Sequence, residues 1–142
     1  MILLDANILL YAYNQQSSHH AVIKPWLEAL LSSDETVGIP WIAAWAFVRI
    51  ITNPRINAQP LLPKQAMSVL TALREHPHLV WVNPGRHHAR HLLEQMIAAQ
   101  IQGPQTTDAA LAALALEQGA TLASTDVGFR RFPDLTWINP LD

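Results

Sequence analysis

The stretch Met1-Ile2-Leu3-Leu4-Asp5-Ala6-Asn7 constrains this chain most, because an apolar run without alternation ends on an acid. A short continuous apolar run suits a strand covered on both faces, as in a parallel sheet. An ionised carboxylate left unpaired inside such a sheet costs several kcal/mol. Asp5 is therefore expected where the strand ends. That is also where open α/β sheets bind their ligands. The plainer role for Asp5 is to cap a loop or the next helix. The apolar run resumes at Ile8-Leu9-Leu10, with Asp-Ala-Asn between. It lacks the basic start and unbroken apolar core of a secretory signal, so it is read as part of the mature fold.

The remaining pattern alternates short strands with helices. Ser17-Ser18 can cap a helix through Trp26 to Leu31, although Pro25 predicts a kink or a later start. Thr36–Pro40 reads as a second strand. Trp41–Thr52 reads as a mostly buried helix stopped by Asn53-Pro54. Pro63 starts a helix through Leu73, and Leu79–Val82 is a third strand. Gly85–Ala99 is helical, with Gly103-Pro104 as its break. Asp108–Glu117 is apolar nearly all round, which predicts a helix buried on several sides, closed by Gly119. Thr121–Ala123 is a fourth strand and Thr136–Ile138 a short edge strand. The 142 residues are the usual size of one domain, taken as 1–142. The expected class is α/β, a three-layer α/β/α sandwich around a central parallel sheet.

Asp5 follows strand one, Asp126 follows strand four, and Asp108 opens a helix after Thr106-Thr107. Two parallel strand ends and one helix start can meet at one edge of the sheet. The other three of the six aspartates, Asp34, Asp134 and Asp142, fall in turns or at the terminus. Unit charges ~4 Å apart repel by about 4 kcal/mol at an effective dielectric near 20. A bound proton or a divalent cation relieves that. Hard oxygen ligands suit Mg²⁺ or Mn²⁺, which can orient a phosphate and activate water. Asn7 and Ser124 add neutral groups beside the acids. The plainer role for Asp108 is to complement a helix N-terminus.

In this order, Leu3–Asn7, Phe47–Arg55, Thr107–Ala115 and Leu122–Phe129 resemble a PIN-domain ribonuclease of the VapC toxin type, over essentially the whole chain. The resemblance implies Mg²⁺- or Mn²⁺-dependent RNA cleavage, transfer or ribosomal RNA as substrate, and a cognate antitoxin. It also implies a homodimer. The expected location is cytoplasmic, on the sole ground that no export or membrane signal is seen. Asp5, Asp108 and Asp126 match family acids and are the expected catalytic and metal-binding residues. Asn7 and Ser124 match supporting positions. Two positions depart. Ala46 stands where many relatives carry a glutamate, and Gly128 where they often carry another aspartate.

Arg49, on the same helix as Ala46, is expected to face the acids or a phosphate, or to form a structural salt bridge. Arg55 is a phosphate-contact candidate, and Arg130 and Arg131 a basic rim or plain surface charge. His88 and His91 are three apart with His87 adjoining; they have no third zinc ligand at a supporting spacing and read as a solvated helix face. The tryptophans read mostly as core. Trp41 and Trp45, one helical turn apart, form a face that packs inward or receives an antitoxin segment. With no cysteine, disulfides and thiolate sites are excluded. The formal net charge of −2 provides no global nucleic-acid signature. No apolar run is long enough to cross a membrane. Nucleotide-binding glycine loops and a nucleophile elbow are both missing. Two rival readings remain: a non-catalytic PIN-like module that binds RNA or protein, and a phosphatase with Asp5 as nucleophile. Asn7 fits the phosphatase poorly, since it stands where the second acid belongs.

Overall fold

The computed structural model describes residues 1–142. The elements run β1 (Ile2–Leu4), α1 (Ala6–Tyr13), α2 (His20–Leu31), β2 (Val37–Pro40), α3 (Trp41–Ile51) and α4 (Pro63–Arg74). They continue with β3 (Leu79–Val82), α5 (His88–Ala98), α6 (Thr106–Glu117), β4 (Thr121–Ala123) and β5 (Trp137–Ile138). Every strand pairing is parallel, in the order β3-β2-β1-β4-β5. The chain builds outward from β1 to β3, then crosses back to place β4 on the other side of β1. That reversal opens a crevice at the carboxyl ends of β1 and β4.

The strands are apolar on both faces because both are covered. Leu3 and Leu122 point into one core layer with Val82, Leu111, Leu114 and Phe129. Leu4, Ile39 and Ala123 point into the other with Ile8, Leu9, Ile23 and Phe47. Helices α1 to α4 thus cover one face and α5 and α6 the other, giving the expected α/β/α sandwich. Helix α6 buries Ala109 and Leu111 through Ala115. It ends in a Schellman motif: Gly119, at φ +60°, donates to Leu116 O and Ala120 donates to Ala115 O.

Several local expectations need correction. Ile8–Leu10, given no element from the sequence, lie in α1, which Asp5 caps. Helix α2 starts at His20 and runs through Pro25. Ile23 and Leu27, both buried, pin the helix on either side of the proline. Ser17 sits before the cap and accepts the His19 N–H at 3.1 Å. Helix α5 begins at His88 rather than Gly85. Helix α6 begins at Thr106, so Asp108 lies inside its first turn. Trp45 is 67% exposed and is not core, whereas Trp41 stacks on Trp81 at 4.5 Å between ring centroids.

Candidate active site

Asp5 ends β1 and its backbone N–H still follows the sheet, donating to Ala123 O at 3.0 Å. The next residue turns into α1, and Asp5 Oδ1 accepts the Ala6 N–H at 2.6 Å. Its other oxygen accepts from Ser124 Oγ at 2.7 Å and Asn7 Nδ2 at 3.0 Å. Ser124, fully buried, is the hub. Its Oγ also accepts from Asn7 Nδ2 at 3.0 Å and from the Asp126 N–H at 3.1 Å. Asn7 Oδ1 accepts the Thr125 N–H at 3.2 Å. This network ties the end of β1 to the end of β4 and fixes the Asp5 carboxylate against rotation. The two supporting residues expected from sequence therefore touch Asp5 directly.

Asp108, in the first turn of α6, shares a crevice of about 230 Å³ with Asp5. Ile42, Ala43, Ala46 and Leu111 form its apolar wall, and Thr107 and Arg49 also line it. Asp126 is exposed beside it and caps the short 3-10 helix Val127–Arg131, accepting the Gly128 N–H at 2.7 Å. Burial, above all, raises the Asp5 carboxyl above the usual carboxylate range. The bonds from Ser124 and Ala6 work against this rise, and the charges of Asp108 and Asp126 add to it. Asp108 is raised by burial first and by Asp126 second, with Arg131 opposing. The three acids thus sense one another, and none takes part in any of the protein's six ion pairs. They do not form a ready-made cage of three ligands. Their donor chemistry fits a hard divalent cation: all-oxygen ligands, an unsatisfied mutual repulsion and no competing cation in contact.

Ala46 lines this crevice and leaves that wall apolar, without a carboxylate. Arg49 is exposed and makes no salt bridge; it lines both the crevice and a neighbouring groove. That groove, about 690 Å³, is walled by Trp41, Trp45, Val48, Met67, Leu70 and Trp81, with Arg49 and Arg74 among its lining residues. Arg55 lines neither cavity. Arg130 stands 5.6 Å above the Trp137 ring. Arg131 is partly buried rather than a surface charge, with Nε donating to Gly128 O at 2.8 Å. The histidines of α5 are not all solvated: His88 Nδ1 lies 3.5 Å from Glu117 in a mostly buried pair. No helix is long and apolar enough to cross a membrane.

Residues 2–135 match the PIN domain family. The chain is 36% identical over 142 residues to Ribonuclease VapC43 of Mycobacterium tuberculosis, covering 100% of this chain and 97% of that protein. Ribonuclease VapC37 of the same organism is 36% identical over 140 residues, with 99% and 97% covered. Among solved structures, VapBC2 from Rickettsia felis, bound to a DNA fragment from its promoter, superposes with a TM-score of 0.73 at 22% identity, covering 98% of each chain. Mycobacterium tuberculosis VapC20, described as a sarcin-ricin loop cleaving toxin, superposes at 0.66 and 13% identity, covering 92% of this chain and 93% of that one.

Proposed function

This chain belongs to the PIN domain family, and on that premise we propose that it is a metal-dependent endoribonuclease, the toxin of a type II toxin–antitoxin pair. The observation that carries the reading is the pairing of Asp5 with Asp108 across one crevice, with Asp126 at its edge. Asp5, Asp108 and Asp126 would hold Mg²⁺ or Mn²⁺, which when bound polarises a phosphodiester and makes water a better nucleophile. The rest is done by the chain. Ser124 and Asn7 fix the Asp5 carboxylate and favour its charged form. Asp126, oriented by the Gly128 N–H, holds a second carboxylate oxygen free to accept a proton from water. Arg49, exposed at the crevice, meets phosphate of the incoming strand.

Transfer or ribosomal RNA is the proposed substrate, the cytoplasm the proposed location and a homodimer the proposed assembly. The antitoxin is proposed to seat an amphipathic segment on the Trp45 groove, whose lining carries two arginines and no acid. A second reading, binding without cleavage, is favoured by one observation: Ala46 where the crevice wall lacks a carboxylate.

The test is incubation of the pure protein with bacterial transfer and ribosomal RNA in Mg²⁺, Mn²⁺ or EDTA, beside Asp5→Asn. Metal-dependent cuts lost in the variant support the nuclease. Metal-independent cuts, or equal cutting by the variant, overturn it. RNA retention without any cut moves the binding module to the front.

A further inference from the structure

Gly128 sits in a crowded turn between Asp126 and Arg131. A Cβ built there would lie 2.9 Å from Arg131 Nη2 and 2.9 Å from Asp126 Oδ1. The backbone at Gly128 is not left-handed, so the constraint is space and not conformation. A methyl at 128 would press on both the guanidinium tip and the Asp126 carboxylate, and glycine leaves the two their present places. Arg131 Nε is anchored on Gly128 O at 2.8 Å, which sets the plane of the fork. Its two Nη groups have no hydrogen-bond acceptor, and Arg131 enters no ion pair within 4 Å. Its charge nevertheless reaches Asp108. A structural counter-ion would close on Asp126 and pair with it. This guanidinium is instead left open beside Asp126, partly buried and with four N–H bonds to give. That planar fork matches the non-bridging oxygens of a phosphodiester.

We propose that Arg131 is a phosphate-binding residue of the acid crevice, that its Nη groups take an RNA phosphodiester, and that Gly128 leaves the guanidinium room to do so. The proposal rests on the ribonuclease reading and adds to Arg49 a second residue that receives the substrate's charge. Arg131 also supplies positive charge beside Asp126 and within reach of Asp108. It should therefore oppose metal uptake while favouring RNA.

The test uses a fluorescein-labelled single-stranded RNA of mixed sequence, bound in EDTA so that nothing is cut, and followed by anisotropy across a salt series. Losing one phosphate contact on a single strand lowers the slope of log K against log salt by about 0.7. Arg131→Gln is expected to lower the slope by that amount. Gly128→Ala, which keeps the arginine but displaces its head, should do the same. Arg90→Gln, on exposed α5, should leave the slope unchanged. Mn²⁺ titrated by calorimetry should bind Arg131→Gln a few-fold more tightly than wild type, a sign that a merely structural residue would not produce. Equal slopes in wild type and both crevice variants, or an equal loss in Arg90→Gln, overturn the proposal. If wild type binds neither RNA nor Mn²⁺, the ribonuclease reading falls and takes this proposal with it.

Discussion

Replacing Ser124 with alanine should cost about 3 kcal/mol at neutral pH. Ser124 Oγ gives one hydrogen bond to Asp5 and receives two, from Asn7 Nδ2 and the Asp126 N–H. The first joins a charged acceptor, a class worth about 1.5–3 kcal/mol. The two donors lose their acceptor in a site where Ser124 itself has no exposed surface, though water can reach Asp126 and soften that loss. With 142 residues, the unfolding entropy is roughly 0.3 kcal/mol/K, so the melting temperature should fall by about 10 °C. The loss must also depend on pH. Asp5 is raised by burial and Ser124 is the largest influence holding it down. Without Ser124 the acid rises further, so the penalty is full where Asp5 is ionised in both proteins. It shrinks toward ~1 kcal/mol, an ordinary hydrogen bond, once acid protonates Asp5. Urea denaturation of wild type and variant at pH 4 and pH 7 measures this. A loss under about 1 kcal/mol at pH 7, or the same loss at both pH values, would mean that Ser124 does not stabilise the charged Asp5. Ser124→Thr keeps the hydroxyl and adds a methyl to a filled site, so its cost should be about 1 kcal/mol and independent of pH.

Asp108→Asn should stabilise the metal-free protein at pH 7. Its carboxyl is raised by burial and by Asp126, so folding is favoured below the ordinary carboxylate range and loses that advantage as pH rises through the folded-state value. Melts in EDTA from pH 4 to 8 should show a flatter profile for the variant, and a steeper one would contradict the assignment. Ala46→Glu adds a fourth carboxylate to the crevice wall. It should tighten Mn²⁺ binding by about tenfold in calorimetry, an interaction of ~1.4 kcal/mol, and lower the metal-free melting temperature. Trp45→Ala, at a ring 67% exposed, should change stability by less than ~1 kcal/mol in urea while weakening any antitoxin peptide that seats in the groove, as read by co-purification.

The acids were legible because each sits at the end of a plainly apolar element, where an ionised group has nowhere else to go. Asn7 and Ser124 were legible only through those acids, as neutral groups two residues after Asp5 and two before Asp126. What stayed hidden was longer-range. Ile8-Leu9-Leu10 offers no periodicity that separates a short buried helix from a strand, so α1 emerged only with the Asp5 cap. Pro25 weighs against a helix locally, but burial of Ile23 and Leu27 outweighs it. Trp45 and Trp41 look alike on a helical wheel; only the position of β3, which brings Trp81 under Trp41 alone, separates them. Arg131 looks like one of two surface arginines until the turn at Gly128 places its head beside Asp126. Each of these outcomes depends on contacts between distant segments, which local pattern does not carry.

The bond between Asp5 and Ser124 joins residues 119 positions apart. A growing polypeptide holds one half of that bond long before the other exists. At ~5–20 residues per second, roughly 6–24 seconds separate their synthesis, and β4 cannot pair with β1 until it has left the ribosome. Until then the first acid has no hub to fix it and no partners to form a crevice. A chain that cuts RNA would emerge without an assembled centre, because the order of its strands withholds the fixed first acid until β4 is made and paired with β1.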